Sequence, residues 1–451
     1  MRATGCTLGR IPTNTPVTEL VASFQFIGSS VKVGDIVQQS GSTTNDFTNS
    51  VVYTVVNADG DTQSYEVDLT KFTGLPIIHL KTNEYAAIDS KEDYVEGNVS
   101  IDGGRNYENL AEVKMKIRGR GNTTWSLHPK KPFQMKLEDK AEFLGMPNDK
   151  KWLFLAEYSD KTMLRNKITF EMGYLSNLDW TPQSKFAEVY INDKYNGTYH
   201  ITQKVEESDN RVPLGDTGYL LELDQLDSLD PDDVYFTSAV TSEFIINVKE
   251  PSLDSDSAEH LYIKELINEF ENTMFGSSFL SATEGYAKYI DVDSFVDWFL
   301  ISEITKNADS RNFSSIFLNV MPGGKIKMGP LWDFDVSFGN MDLGNLSHAE
   351  GWWVKYHPWY DRLFQDPAFV EKVKTRFAYF KSNQDFILSK IDIYAEQLQW
   401  AQQENDSKWQ TIGQYVWLNP IVFDTYQEEV DHMKAWYIGR MVWLDGALSN
   451  L

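Results

Sequence analysis

The sequence predicts an α+β protein that begins with a small all-β domain, and two observations lead to this fold class. Alternating apolar and polar residues dominate the first half of the chain, as in residues 112–117, whereas helical spacing dominates the second half, as in residues 291–306. Strands first and helices later is typical of α+β proteins rather than of regular α/β alternation. The 451 residues exceed one ordinary hydrophobic core and suit two or three domains.

Residues 1–75 form the first predicted domain, a small all-β unit of the immunoglobulin-like or a similar type. They are rich in Thr, Ser, Val, Gly and Asn. The alternating runs 51–56 and 65–69 flank a turn-rich loop, residues 57–61, which predicts a β-hairpin. This segment contains no histidine and no cluster of carboxylates, so we expect it to serve as a spacer or stalk.

Residues 76–451 form the second predicted domain, an antiparallel sheet followed by a helical C-terminal half. The predicted strands include residues 112–117, 133–137, 186–191 and 197–203, and a later hairpin pairs 315–320 with 325–328. The predicted helices cover residues 162–174, 258–275 and 291–306, followed by long helical patterns over 367–403 and 420–448.

Composition and charge exclude several classes of function. The chain carries 66 acidic and 41 basic side chains, a net charge of −25, so neither nucleic acid nor an anionic membrane is expected as the main partner. The single cysteine, Cys6, excludes an internal disulfide framework and a cysteine-based zinc site. No stretch approaches the roughly 20 apolar residues of a membrane span. Residues 1–10 lack an apolar signal core, so we expect a mature or truncated chain.

Charge is distributed unevenly along the second domain. Residues 112–167 contain 13 Lys and Arg against 7 Asp and Glu, and residues 205–260 contain 2 basic against 15 acidic side chains. A basic segment in an acidic protein could bind an anion, and a solvated charged face explains the counts equally well. The acidic residues 224–233 could bind Ca²⁺ or a basic peptide, but a solvated loop is favoured because the ligand spacing of an EF-hand is missing.

A glycine-rich turn in the basic segment is a candidate site for phosphate oxygens. Arg118, Gly119, Gly121 and Asn122 follow a strand, and glycines with guanidinium groups can approach an anion closely. Residues 130–136 add lysines, with Lys131 at the start of a strand and Lys136 on the face opposite its apolar residues. Taken alone, the first pattern is more typical of a tight hairpin, and the second is more typical of solvated surface lysines.

Two aspartates in residues 329–340 are the stronger signal. Asp333 and Asp335 flank Phe334, so their side chains point to the same face of an extended segment, with Cα atoms roughly 6–7 Å apart. Both could then reach one Mg²⁺ or a pair of metal ions that also contact phosphate. A purely structural role is disfavoured because carboxylates among large apolar side chains are costly unless they are paired or metal-bound.

A third aspartate lies 24 positions before Asp333, in a polar loop that ends a helix. Asp309 precedes a two-stranded hairpin. Helix, Asp-containing loop, hairpin and a second Asp beside Phe is the order in which protein kinases place their catalytic aspartate and metal ligand. Asn312 or Ser314 would then help to hold a second metal ion. A helix C-terminal loop with capping polar residues explains the same pattern.

Together these motifs resemble the CotH kinase family, the spore coat protein H family. The resemblance rests on residues 118–125, 130–133, 144–152, 158–167, 188–199 and 329–340, and it covers roughly residues 76–450. The N-terminal residues more loosely resemble small β domains of bacterial surface proteins, notably of Bacteroides-type bacteria.

The resemblance implies an atypical protein-kinase-like fold that uses ATP with Mg²⁺ or Mn²⁺ to phosphorylate Ser or Thr of an unknown protein. It implies that Asp309 is the catalytic aspartate and Asp333 a metal ligand, with Asp335 as an additional ligand where kinases carry glycine. Arg118, Lys131 and Lys136 are candidates for the ATP phosphates, and Glu171 or Glu206 for the glutamate that pairs with the strand lysine. It also implies a secreted or surface-attached protein, which we expect to be a monomer.

Two other functions remain open at this stage. The fold could serve as a catalytically inactive adhesin or carbohydrate-binding protein on a surface glycan, supported by the aromatic cluster at residues 351–360. Such clusters are more often core packing than ligand platforms. A metal-assisted hydrolase using the three aspartates is the third reading.

Overall fold

The computed structural model describes residues 5–13, 15–238, 240–241, 244–312 and 314–451, with backbone alone for residues 5–10, 70, 71 and 312. The chain divides into two compact units: Met1–Leu75 with Gln397–Glu404, and Pro76–Glu396 with Asn405–Leu451. None of the helices in the described part of the chain has the length and apolar content needed to span a bilayer.

The first unit is built on two small sheets. Its strands are β1 (Gly5–Pro12), β2 (Leu20–Val21), β3 (Ser30–Val33), β4 (Ile36–Val37), β5 (Thr44–Asn45), β6 (Val51–Val56) and β7 (Thr62–Phe72). The main sheet has the order β1-β7-β6-β3-β4, and β2 pairs with β5. The hairpin predicted around residues 57–61 joins β6 to β7, with Val51 opposite Val67. The N–H of Asn57 donates to the carbonyl of Asp61 and closes the turn.

A closed barrel forms the first part of the second unit. Its strands are β8 (Ile77–Thr82), β9 (Val95–Asp102), β10 (Leu110–Gly119), β11 (Phe133–Phe143), β12 (Met146–Leu155), β13 (Ser184–Ile191) and β14 (Lys194–Gln203), in the order β10-β11-β12-β14-β13-β8-β9. The alternation seen in the sequence sends Met115, Ile117 and Met135 into the barrel core beside Trp152 and Phe154. The expectation of an antiparallel sheet is wrong in one respect, because β13 pairs with β8 in parallel and so closes the barrel.

A second, five-stranded sheet follows the barrel in sequence. It comprises β15 (Tyr219–Asp224), β16 (Val234–Thr237), β17 (Ile245–Glu250), β18 (Ile316–Val320) and β19 (Lys327–Met328), in the order β16-β17-β15-β18-β19. The predicted hairpin after Asp309 is the antiparallel pair of β18 and β19. Leu220 and Phe317 of this sheet pack with Leu153 of the barrel and with Trp332, so the segment that carries Asp333 lies against both β layers.

Helices occupy most of the second half of the chain. They are α1 (Thr123–Leu127), α2 (Arg165–Tyr174), α3 (Ala258–Phe275), α4 (Val292–Thr305), α5 (Asp309–Asn312), α6 (Pro358–Leu363), α7 (Pro367–Ser382), α8 (Gln384–Gln397), α9 (Ala401–Trp409) and α10 (Tyr426–Ser449). The mixture of sheets and helices, with a β region at the N-terminal end, agrees with the predicted α+β class.

Three predicted helix boundaries are wrong because side chains set them. The helix expected from residue 162 begins later, since the carboxylate of Asp160 accepts from the N–H and hydroxyl of Thr162. The pattern over 367–403 is interrupted at Asn383, whose side-chain amide donates to the carbonyl of Tyr379. The last helix begins after Thr425, which forms a capping box with Glu428.

Candidate active site

Asp309, Asp333 and Asp335 come from two loops of the second unit and interact electrostatically. Asp309 opens α5, three residues after the left-handed residue Lys306 (φ 53°) that caps α4. Asp333 and Asp335 lie in the loop after β19, on either side of the buried Phe334. All three aspartates are partly buried. The loop order predicted from the sequence therefore places the three aspartates within electrostatic range of one another.

Burial and mutual repulsion make these carboxyl groups weak acids. Burial raises the pKa of Asp309 well above its ordinary value, and repulsion from Asp333 and Asp335 raises it further. The same two causes, burial and then Asp333, raise the pKa of Asp335 to about 8. Burial also raises the pKa of Asp333, but Arg120 and the Ser315 side chain act in the opposite direction. The surroundings therefore compensate the ionised carboxylates only in part, which favours the protonated forms of these groups.

Arg120 is the cation that faces this cluster. It directly follows the glycine-rich end of β10, and its guanidinium carbon lies 5.5 Å from the centroid of the Trp332 ring. Burial lowers the pKa of Arg120, whereas Asp333 and then Asp335 stabilise its charge. The glycine-rich turn and the aspartate loop, more than two hundred residues apart in the sequence, therefore share one site.

Hydrogen bonds with the first two residues of α2 hold the aspartate loop in place. Arg165 forms an ion pair with Asp160 and donates from Nε to the carbonyl of Ser337 at 2.9 Å. The side-chain carbonyl of Asn166 accepts from the N–H of Phe334 at 2.7 Å. Phe334 therefore cannot move without breaking a buried hydrogen bond. Asp333 itself has a positive φ of 62°, a conformation unusual for a residue other than glycine and common where function fixes the backbone.

Asn166 is itself hydrogen-bonded to a buried pair formed by Glu157 and His200. Glu157 accepts from Nδ2 of Asn166 at 3.1 Å and lies 2.9 Å from Nδ1 of His200. Burial, followed by Asp160 and Asp335, raises the pKa of Glu157 well above its usual value, and burial lowers the pKa of His200. Both shifts favour the uncharged forms. In these forms the protonated carboxyl group of Glu157 donates to Nδ1 of the neutral His200, and the pair adds no charge to the site.

The residues predicted to hold a second metal ion are only partly described. The hydroxyl of Ser314 points to Asp224, to which it donates at 3.4 Å. The side chain of Asn312 lies outside the described residues. Ser315, which sequence reasoning missed, is the serine bonded to Asp333.

Two of the predicted phosphate contacts, Arg118 and Lys136, lie on the outer face of the barrel. Arg118 is on the outer face of the barrel, where it stacks over Tyr94 at 4.9 Å and donates to the carbonyl of Glu92. Lys136 is directly opposite Lys116 on one side and Lys151 on the other, so three lysines form a row across that face.

The glycines and Asn122 of the turn have structural partners. A Cβ on Gly119 would lie 2.3 Å from the Trp125 ring, and Gly121 has a positive φ of 82°. Lys91 donates to the side-chain carbonyl of Asn122 at 3.2 Å. Lys131 donates to the carbonyl of Trp125 at 2.5 Å and has no contact with the three aspartates.

Comparison with known families decides what this chain is related to. The sequence profile of the family described as CotH kinase protein matches residues 117–444, which is more than half of the chain. The chain belongs to the CotH kinase family. A second profile, described as SGBP, N-terminal, matches residues 8–69. No curated protein sequence matches the chain. The resemblance found in the sequence is therefore confirmed, and the protein is kinase-like.

The CotH domain carries a lysine–glutamate pair that the sequence did not reveal. Nζ of Lys151, on β12, lies 2.7 Å from the carboxylate of Glu206, which also pairs with Arg211 and lies 3.6 Å from Lys204. Glu171, the other glutamate considered, instead contacts Lys390 at 3.1 Å and accepts from the hydroxyl of Tyr394. Glu206 is therefore the glutamate that meets the basic face of the barrel.

The aromatic cluster of the CotH domain is largely core. Trp359 and Tyr360 are fully buried, and Trp359 donates from its indole to Glu271. Trp353 donates to the carbonyl of Ala308 and so supports the loop of Asp309. Tyr356 is half exposed. This packing removes most of the surface on which a glycan-binding role had been expected.

The chemistry of the donor set fits a hard divalent cation. Asp309, Asp333 and Asp335 supply oxygen ligands, which Mg²⁺ and Mn²⁺ prefer. Within the described ranges, no three Asp, Glu, His or Cys side chains lie close enough to one another to share a single ion. Asp333 and Asp335 are nevertheless near enough to Asp309 to raise its pKa.

Proposed function

We propose that this protein is a secreted or surface-attached protein kinase that transfers the γ-phosphate of ATP to Ser or Thr side chains. The observation that supports this most is the electrostatic coupling of Asp309 to Asp333 and Asp335, the two aspartates that also interact with Arg120. Phosphoryl transfer depends on positioning and charge neutralisation more than on covalent chemistry. The family match implies ATP used together with a metal ion.

Asp309 is the proposed catalytic aspartate, which orients or deprotonates the acceptor hydroxyl. Its raised pKa, caused by burial and by Asp333 and Asp335, suits a group that must accept a proton near neutral pH. None of the described residues donates a hydrogen bond to its carboxylate, so both oxygens are available to an acceptor. The hydrogen bond from its own N–H to the Asn307 side chain at 3.0 Å orients the loop.

Asp333 and Asp335 are the proposed metal ligands, with Ser314 and Asn312 as further candidates. A bound Mg²⁺ or Mn²⁺ would supply positive charge to the phosphate oxygens. The chain's own contribution is orientation: Ser315 restrains Asp333, and the backbone hydrogen bond from Phe334 to Asn166 fixes the turn between the two ligands.

The basic outer face of the barrel is the proposed contact for the ATP phosphates. Arg118 and Lys136 lie on this face, and Lys151 joins them there. Because Lys151 is paired with Glu206, it is the best candidate for the strand lysine that kinases pair with a glutamate. Arg120 is suited to the phosphate nearest the aspartates. Gly119, Gly121 and Asn122 shape the turn, and Lys131 is a weaker candidate for a phosphate contact because its ammonium group donates to the carbonyl of Trp125.

In this proposal the barrel and the helical half correspond to the two lobes of an atypical kinase, within a catalytic domain of residues 76–451. Residues 1–75 would be a surface domain of the immunoglobulin-like or a similar type, which fits the match to an N-terminal SGBP domain. A monomer is sufficient, since every proposed residue comes from one chain.

The direct test is transfer of labelled phosphate from ATP to protein, including autophosphorylation, with Mg²⁺ or Mn²⁺. Asp309→Asn and Asp333→Asn should each abolish incorporation while nucleotide binding by Asp309→Asn persists. Asp179→Asn is the matched control, since Asp179 pairs with Lys327 on the surface. Incorporation that survives both active-site substitutions would reject the assigned roles, and ATP hydrolysis without transfer would indicate a hydrolase instead.

A further inference from the structure

A second cavity lies in the barrel unit, where β13 turns into β14. Its volume is about 260 Å³, and it is lined by residues 86–88, 191–192, 194–196 and 408–409 together with Pro129, Lys131 and Phe133. No lining residue is hydrogen-bonded or ion-paired to Asp309, Asp333 or Asp335 among the described residues. The cavity is therefore a separate feature from the proposed active site.

The charge of this cavity is opposite to that of the protein. Lys131, Lys194 and Lys408 line it, and no carboxylate does. None of the three forms an ion pair within the described part of the chain. In a protein of net charge −25, three ammonium groups around one cavity, none of them paired with a described carboxylate, create a local field that favours an anion.

The nearest acidic residues do not compensate these lysines, because they are bonded elsewhere. Asp193 accepts from the hydroxyl of Tyr85 at 2.6 Å and pairs with Lys81 at 3.6 Å. Asp406 accepts from the backbone N–H groups of Thr411 and Ile412.

The walls of the cavity are held in place by hydrogen bonds. The indole of Trp409 donates to the carbonyl of Asn196 at 2.9 Å, and the side-chain amide of Asn196 donates to the hydroxyl of Tyr199 at 2.7 Å. Gly197 permits this approach, since a Cβ there would lie 2.7 Å from the Trp409 nitrogen. The cavity is therefore formed before any ligand arrives, which lowers the entropic cost of binding.

We propose that this cavity binds an anionic saccharide. Lys194 and Lys408 are placed to meet a carboxylate or sulfate group. Trp409 and Tyr195 offer flat apolar surface to the C–H face of a sugar ring, and the side-chain carbonyl of Asn196 is open to a sugar hydroxyl. A small inorganic anion would use the lysines alone and leave this surface uncovered. The site gives the protein an attachment to acidic glycan that does not depend on phosphoryl transfer.

The test is isothermal titration of the full chain with tri-galacturonate and with a heparin-derived tetrasaccharide, which separate carboxylate from sulfate recognition. Lys194→Ala/Lys408→Ala should weaken binding of the preferred sugar about tenfold, the size expected for two exposed charge contacts. Lys194→Arg/Lys408→Arg should retain most of the affinity. Lys140→Ala/Lys325→Ala, which removes two exposed lysines outside the cavity, is the matched control.

Three results would overturn the proposal: no binding of either acidic sugar, equal loss of affinity in the control variant, or equally tight binding of neutral maltotriose. Equally tight binding of a tri-glutamate peptide would also overturn it, because it would show that the lysines recognise charge without a sugar ring. Thermal melting should be the same for all variants, since Lys194 and Lys408 are exposed.

Discussion

Arg120 offers the sharpest test of the electrostatic account of the active site. It is the cation whose charge most stabilises the ionised form of Asp333, and in return Asp333 stabilises Arg120. Replacing Arg120 by Met keeps the length of the side chain and its packing on Trp332 but removes the charge. Asp333 is then left beside Asp335 without its main counter-charge.

The expected loss can be estimated from the cost of removing a counter-charge that acts on Asp333 through space. It should lie between the value for an exposed pair, at most about 1 kcal/mol, and that for a broken buried pair, about 3 kcal/mol, so we expect a loss of about 2 kcal/mol. The pKa of Asp333 should rise further in the variant, and a carboxyl group with a raised pKa destabilises the folded state only while it is ionised. The loss of stability should therefore be full near pH 8 and shrink as the pH falls towards 5, where the carboxyl gains a proton.

The assay is urea unfolding of Arg120→Met and of the unchanged protein at pH 8 and pH 5. Arg118→Met is the matched control, because Arg118 stacks on Tyr94 and donates to a backbone carbonyl without facing the aspartates. The control should lose less than about 1 kcal/mol at both pH values. Equal losses in the two variants, or a loss in Arg120→Met that does not change with pH, would refute the reasoning.

Three further predictions follow from the same contacts. Asp309→Asn should reduce phosphate transfer by about 10²- to 10⁴-fold with unchanged or higher thermal stability, because a repelled carboxylate is neutralised; a melting temperature that falls sharply would contradict this. Lys306→Met should lower the free energy of unfolding by about 3 kcal/mol, since the ammonium group donates to three backbone carbonyls at 2.6, 2.9 and 2.7 Å; urea unfolding checks it, and Lys325→Met should be neutral. Burial lowers the pKa of Lys130 to about 7. Between that pH and about 10.5, Lys130 therefore carries a proton in the unfolded chain but not in the folded protein, and folding becomes more favourable as the pH rises. The free energy of unfolding, measured relative to Lys130→Met, should rise by more than about 1 kcal/mol from pH 6.5 to pH 9. Parallel pH curves for the two proteins would rule out a buried, titrating Lys130.

Local pattern was enough to predict many elements of the fold. The hairpin of β6 and β7, the barrel strands around Ile117 and Met135, and the helix that precedes Asp309 all follow from periods of two or 3.6 residues, which neighbouring residues set. Closure of the barrel was not predictable, because it depends on the parallel pairing of β8 with β13, and these strands are more than a hundred residues apart.

The candidate active site also has features that the sequence predicts and features that it does not. The spacing of Asp333 and Asp335, and the position of Asp309 before a hairpin, predicted where the carboxylates would be. The sequence pattern led us to name Arg118 and not Arg120, which belongs to the same short motif. Only the packing of Arg120 on Trp332 shows which of the two guanidinium groups faces the aspartates.

The α+β class, the family and the three candidate metal-binding aspartates could be predicted from the sequence, because each prediction uses residues that are close together in the chain. The partners of the site residues could be identified only in the folded molecule: Asn166 for the aspartate loop, Glu206 for Lys151, and Trp125 for Lys131. The physical reason is that burial and charge depend on segments far away in the sequence, and the energies that follow from them are properties of the packed molecule.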